Sequence, residues 1–280
     1  MRKIKNQHLA EDDQYRFMKL VGKIAGMVIF ILFVGAIACY VFQDKLIFQA
    51  DQLDQEYHFS FDQSYEEYFI PTPDNQKINA VWFKPSQQAK GLVIYFHGNA
   101  DNLQRWGRYA IDITQLGYEV LMIDYRGYGK SSGTPNEQAL YDDATLVWNW
   151  AKEKTEHEKI IIYGRSLGSA IATHLAAEVQ PELLILETPF DELKNASMLR
   201  YLFYVVPLKT KLATNEYLGK IKGKIVIFHG TDDWVVSLAS AERLKPMLKE
   251  TDEFIIIPEG GHRNLRDFVV YHTKLAAVLQ

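Results

Sequence analysis

Residues 159–170 read KIIIYGRSLGSA. A β-branched run, Ile160-Ile161-Ile162, leads to Tyr163, and Gly164-Arg165-Ser166-Leu167-Gly168 follows. An apolar helical pattern then continues through Ala170, Ile171, Leu175 and Ala176. The stretch reads as strand, sharp turn and helix, with a serine at the apex. Such a turn strains the Ser166 backbone, and the glycines at 164 and 168 leave room around it. The hydroxyl then projects from the end of a sheet beside a helix N-terminus, where backbone N–H groups stabilise a developing oxyanion. The pentapeptide alone is a weak signal, because an ordinary loop with a helix-capping serine has the same letters. Its surroundings give it weight.

On either side, apolar strands alternate with helices. Strand-like runs cover 92–96, 119–123, 183–186, 224–228 and 254–257, and helical patterns cover 103–116, 137–153, 239–248 and 265–279. Residues 65–70 and 78–83 read as a hairpin around Pro71-Thr72-Pro73-Asp74-Asn75. This pattern predicts an α/β fold, with a mostly parallel central sheet flanked by helices and ligands bound at the carboxyl ends of the strands. Residues 190–220 break the alternation with an aromatic stretch and are expected to form a short helical cap over the site. Its residues Phe190, Tyr201, Phe203 and Tyr204 are expected to meet the substrate.

A serine hydroxyl needs a neighbouring base. His262 follows the last strand in Glu259-Gly260-Gly261-His262, where glycines let a loop carry an imidazole over the strand ends. His174 is the rival, but it lies two turns into the helix after Ser166. His97 and His229 each end a strand and precede a glycine, which predicts bonding to loop backbone. The base needs an acid to fix its tautomer. Asp232, Asp233 and Glu187 all sit at strand ends, and spacing does not separate the first two. The oxyanion donors are expected to be the backbone N–H groups of Leu167 and Asn99, the latter in His97-Gly98-Asn99-Ala100. Gly129-Lys130-Ser131 resembles a phosphate-binding loop, but that motif needs a glycine where Asp124 stands. A polar turn is the simpler reading.

As an ordered set, five segments resemble the α/β-hydrolase superfamily: His97-Gly98-Asn99-Ala100, Asp124 to Ser131, Gly164 to Gly168, His229-Gly230-Thr231-Asp232-Asp233, and Gly261-His262. They resemble in particular the small, N-terminally anchored branch that includes protein depalmitoylases and lysophospholipid lipases. The chain order Ser166, Asp233, His262 is that of the superfamily. The resemblance selects Asp233 over Asp232 as the acid and makes Glu187 structural. It implies a catalytic domain over 65–280 and a serine hydrolase cleaving esters or thioesters through an acyl-enzyme on Ser166. No metal or organic cofactor is needed. An acyltransferase using the same triad is one alternative. A membrane-anchored binding protein without catalysis is the other, disfavoured because no triad member is missing.

Residues 24–42 contain nineteen residues without a charge. As a helix they would span about 28 Å, close to the hydrocarbon thickness of a bilayer. Six basic residues precede them, Arg2, Lys3, Lys5, Arg16, Lys19 and Lys23, and in the next twenty only Lys45 is basic. That asymmetry puts residues 1–23 in the cytoplasm and the catalytic part on the opposite side. Ala36-Ile37-Ala38 before Cys39 resembles a cleavage or lipidation site, but the apolar run continues past it, so an uncleaved signal anchor is preferred. Residues 43–64 read as an extended connector in which Leu46-Ile47-Phe48 packs onto the domain or the membrane. The 280 residues, 48% hydrophobic and 24% charged, fit a folded chain, and the net charge of −4 gives no reason to expect nucleic acid. The expected partners are the lipid bilayer around 24–42 and an ester or thioester substrate, lipid, small molecule or acylated protein.

Overall fold

The computed structural model describes residues 2–196 and 206–280, with side chains from residue 15 on. The strand-like runs become β1 (Tyr65–Pro71), β2 (Lys77–Phe83), β3 (Leu92–Phe96), β4 (Glu119–Ile123), β5 (Ile160–Arg165), β6 (Leu183–Glu187), β7 (Lys224–Gly230) and β8 (Glu253–Ile257). All eight lie in one sheet, in the order β1-β2-β4-β3-β5-β6-β7-β8. The β1–β2 hairpin and its β2–β4 neighbour are antiparallel. Every other pairing is parallel. Four helices of ten residues or more occur among the described residues: α1 (Arg2–Ile47), α2 (Glu137–Lys154), α3 (Leu167–Val179) and α4 (Val269–Val278).

The strands are apolar throughout because both faces of the sheet are covered. On one face, Ile94, Ile162, Leu184 and Ile227 pack with Val147 of α2 and Ile171 and Leu175 of α3. On the other, Val93, Tyr95, Ile161 and Val226 pack with Leu103, Ile113 and the α4 residues Tyr271 and Leu275. Neighbouring residues along each strand thus serve opposite layers, as the period of two requires.

Three expected helices are interrupted. Residues 103–116 split into short helices at Leu103–Trp106 and Ile111–Thr114, joined by a 3-10 turn that starts at Gly107. Gly107 serves close packing, since a Cβ there would lie 2.5 Å from the Phe61 ring. Residues 239–248 keep α-helix only over Leu238–Glu242 and close with a 3-10 turn carrying Pro246, which lacks the N–H that a continuing helix needs. Residues 265–279 begin with a separate 3-10 turn before α4, with Phe268 extended between them.

The N-terminal run is helical well past Phe42. Tyr15–Ile47 forms a 33-residue stretch long and apolar enough to cross a membrane, and its most apolar window is not buried against the rest of the chain. It fits a single-pass membrane anchor. The connector expected over 43–64 begins as helix and packs onto the domain. Residues 43–47 continue α1, and Ile47 and Phe48 enter the first core layer. Farther on, Ala50 bridges Asp101 and Gln52 bridges Gly129 in parallel register. Phe59 and Phe61 stack at 5.6 Å, and Phe61 meets the Phe83 ring at 4.9 Å.

Candidate active site

The turn at Ser166 is built by close packing. Ser166 has φ 51° and ψ −115°, a backbone conformation that L-residues rarely adopt. A Cβ at Gly168 would lie 2.1 Å from the Phe96 carbonyl oxygen, and one at Gly164 would lie 2.5 Å from the Ala172 Cβ. Only glycine at these two positions lets α3 start this close to the ends of β3 and β5. The Ser166 N–H donates to the Glu187 carbonyl at 2.9 Å, which ties the strained residue to β6.

His262 stands over the strand ends. Its Nε2 lies 2.9 Å from Ser166 Oγ, and its Nδ1 lies 2.8 Å from Asp233 Oδ2. A carboxylate only accepts, so Nδ1 carries the proton and Nε2 offers its lone pair to the serine hydroxyl. The other Asp233 oxygen accepts the N–H groups of Val235 and Val236 at 3.0 and 2.8 Å. Both carboxylate oxygens are thereby occupied and the side chain is buried. The neighbouring Asp232 is exposed and accepts from the Thr231 hydroxyl at 2.7 Å. Geometry, like the resemblance, separates the two aspartates.

His174, His97 and His229 make other contacts. His174 stacks on the Tyr141 ring at 3.8 Å on the outer side of α3. His97 and His229 are buried, and each directs Nδ1 at the carbonyl of the following glycine, at 2.7 and 3.0 Å. Burial pushes the His229 imidazole below its usual pKa, so it is held neutral beside Asp233.

Glu187 belongs to a buried network with Arg165, the second residue of the serine pentapeptide. The Arg165 Nε lies 3.4 Å from Glu187 Oε1, with both side chains almost fully buried. Glu187 also accepts from the Tyr163 hydroxyl at 2.6 Å. Burial alone would lower the Arg165 pKa, but the Glu187 carboxylate holds it above its ordinary value. The guanidinium donates to the His262 carbonyl at 3.1 Å and lies against the Tyr109 ring at 4.5 Å. Arg165 thus fastens the loop that carries the imidazole. Sequence reading named Glu187 but missed Arg165. The available signal was a charged residue at an otherwise apolar strand end, facing an acidic one on the next strand.

A cavity of about 310 Å3 opens over Ser166 and His262. Asn99 and Leu167, the expected oxyanion donors, line it with Ser166 and His262. The N–H of Leu167 starts a helix, and such groups have no acceptor inside the helix. The apolar wall includes Phe190, Leu193, Val235, Val236 and Trp234. Of the expected cap residues, Phe190 is buried at this wall. Tyr201, Phe203 and Tyr204 lie outside the described residues. Leu46 and Ile47, at the end of α1, and Gln49, two residues beyond it, also line the cavity, and sequence reading did not assign them to the site.

Comparisons with known proteins bear on the fold and on the class of activity. The profile of the serine aminopeptidase (S33) family matches residues 87–218. A lysophosphatidylserine lipase of Gallus gallus is 30% identical over 224 residues, covering 70% of this chain and 55% of the lipase. The chain therefore spans just over half the length of that relative. An uncharacterised protein of Mycobacterium tuberculosis is 28% identical over 202 residues, covering 70% of this chain and 71% of its own. Among solved structures, an esterase of Pyrococcus furiosus superposes with a TM-score of 0.67 at 18% identity, covering 83% of this chain and 97% of the esterase, a likeness of fold. Sheet order, the ordered motifs and these relatives lead to one conclusion: the chain is a hydrolase of the α/β-hydrolase superfamily.

Proposed function

We propose that the chain is a membrane-anchored serine esterase acting on lipid-like or acylated substrates, with Ser166, His262 and Asp233 as its catalytic triad. The observation that carries this reading is the relay from Asp233 through His262 to Ser166, at 2.8 and 2.9 Å, on the floor of a largely apolar cavity. His262 Nε2 takes the Ser166 proton as Oγ bonds to the substrate carbonyl carbon. The N–H groups of Leu167 and Asn99 hold the resulting oxyanion. The tetrahedral species collapses, the bond to the alcohol or thiol breaks, and His262 returns the proton to that leaving group. Water, deprotonated by the same imidazole, then releases the acid from Ser166. Asp233 stabilises the imidazolium throughout.

The lipid-like class is supported by the apolar cavity wall and by the anchor end at its rim. The basic residues before position 24 support a cytoplasmic N-terminus, with the domain that carries the triad across the membrane. A fluorophosphonate probe tests the core of the reading. Purified full-length chain should take one label, seen by intact mass, and Ser166→Ala should take none. A graded series of p-nitrophenyl esters and thioesters should then give kcat/KM rising with chain length. A folded wild type that neither labels nor hydrolyses any ester would refute the proposal.

A further inference from the structure

The end of α1 does more than touch the cavity. Asn99, in the loop that follows β3, has a side chain turned toward the juxtamembrane segment. Its Nδ2 donates to the Ile47 carbonyl at 2.6 Å. Its Oδ1 accepts three donors: the Gln49 N–H at 3.0 Å, the Ala100 N–H at 3.0 Å and the Tyr128 hydroxyl at 2.6 Å. One amide therefore joins the last residues of the membrane helix, the loop after β3 and the turn after β4.

The loop needs such a clamp. Ala100 and Asp101 have φ of 67° and 59°, two successive non-glycine residues in the left-handed region. Strained backbone of this kind persists only where its surroundings over-determine it. The chain after α1 supplies the rest of the restraint. Asp51 Oδ2 accepts from Asn102 Nδ2 at 2.8 Å, and the Asp51 carbonyl accepts the Gly129 N–H at 2.8 Å.

We infer that Asn99 is a positioning residue through which the juxtamembrane end of the anchor fixes the oxyanion-binding backbone. The inference rests on the serine esterase reading. The backbone N–H of Asn99 is the donor; its side chain sets where that donor points. The anchor is then a working part of the active site as well as a tether. An oxyanion donor acts only when held at the position of the transition-state oxygen, so a loosened loop lowers kcat and leaves ground-state binding almost unchanged.

The test uses the full-length chain in detergent with p-nitrophenyl butyrate, and kcat and KM are measured separately. Asn99→Ala should lower kcat about 100-fold, the usual cost of losing one oxyanion donor, with KM within about twofold. Tyr128→Phe removes one of the three donors to Oδ1 and should lower kcat about fivefold, the worth of one ordinary hydrogen bond. In the Asn99→Ala background Tyr128→Phe should add nothing, because both act through the same amide. A wild-type kcat in Asn99→Ala, a loss carried by KM alone, or the same Tyr128→Phe factor in both backgrounds would each overturn the inference. If Asn99→Ala does not fold, Tyr128→Phe decides: a lower kcat at constant KM upholds it, and an unchanged kcat overturns it. Wild type that neither labels nor turns over, with Ser166→Ala as the blank, removes the esterase reading and this one with it.

Discussion

At the scale of single residues, two adjacent aspartates are distinguished by what their oxygens meet. Asp233 is buried, with one oxygen on His262 and the other on two backbone N–H groups. Asp232 is exposed, and its carboxylate meets the Thr231 hydroxyl. Asp233→Asn keeps the shape but presents an N–H or a weaker acceptor to the imidazole, so the tautomer that attacks is no longer favoured. Loss of the orienting carboxylate costs roughly ten-thousand-fold in kcat in triads of this geometry. Asp232→Asn should change kcat by less than about threefold, as expected for an exposed side chain off the relay. Steady-state rates on one p-nitrophenyl ester, with circular dichroism to check folding, decide between them. Equal losses in the two variants would move the acid away from Asp233.

At the scale of elements, the alternating β and α segments were legible because each period is local. The ends of elements were less so. The residues 103–116 pattern gives no warning that Gly107 must admit the Phe61 ring, a contact forty-six positions away in the chain. In the candidate site, Ser166, His262 and the competing aspartates are recognisable as candidates from motifs, since each lies in a loop or turn that follows a strand. Arg165 could not, because its role depends on Glu187 in the next strand and on the His262 loop. That pair carries a prediction about stability. Removing one partner of a buried ion pair leaves a bare charge and costs about 3–5 kcal/mol, while apolar replacement of both is often nearly neutral. Arg165→Met and Glu187→Leu should each lower the urea midpoint strongly. The double substitution should recover most of the loss. Recovery of stability without activity would mark the pair as the support of the His262 loop; a double variant as unstable as the sum of the singles would mean that the two do not act as a pair.

At the scale of the whole molecule, the candidate membrane helix runs directly into the cavity that holds Ser166. The uncharged run ends at Phe42, and Leu46 already lines the cavity. Four helical residues rise only about 6 Å. With residues 24–42 in a bilayer, as proposed, a cavity so close to the end of the span opens within reach of its surface, whichever side the domain occupies. Trp234 is 78% exposed at this opening, next in sequence to Asp233. An indole left in water at an apolar mouth is costly in a soluble enzyme and natural at a lipid interface, where its ring sits among headgroups. The prediction follows from comparing two substrates on the same variant. Trp234→Ala should slow hydrolysis of a long-chain ester presented in vesicles about tenfold more than hydrolysis of the same headgroup on a short, freely soluble chain. That ratio corresponds to losing the partial burial of one large side chain in the interface. Purified wild type and variant, reconstituted at equal density in the same vesicles, give both rates from one preparation. Equal slowing of the two substrates would place the effect of Trp234 in the cavity itself and leave the membrane surface without a role in substrate entry.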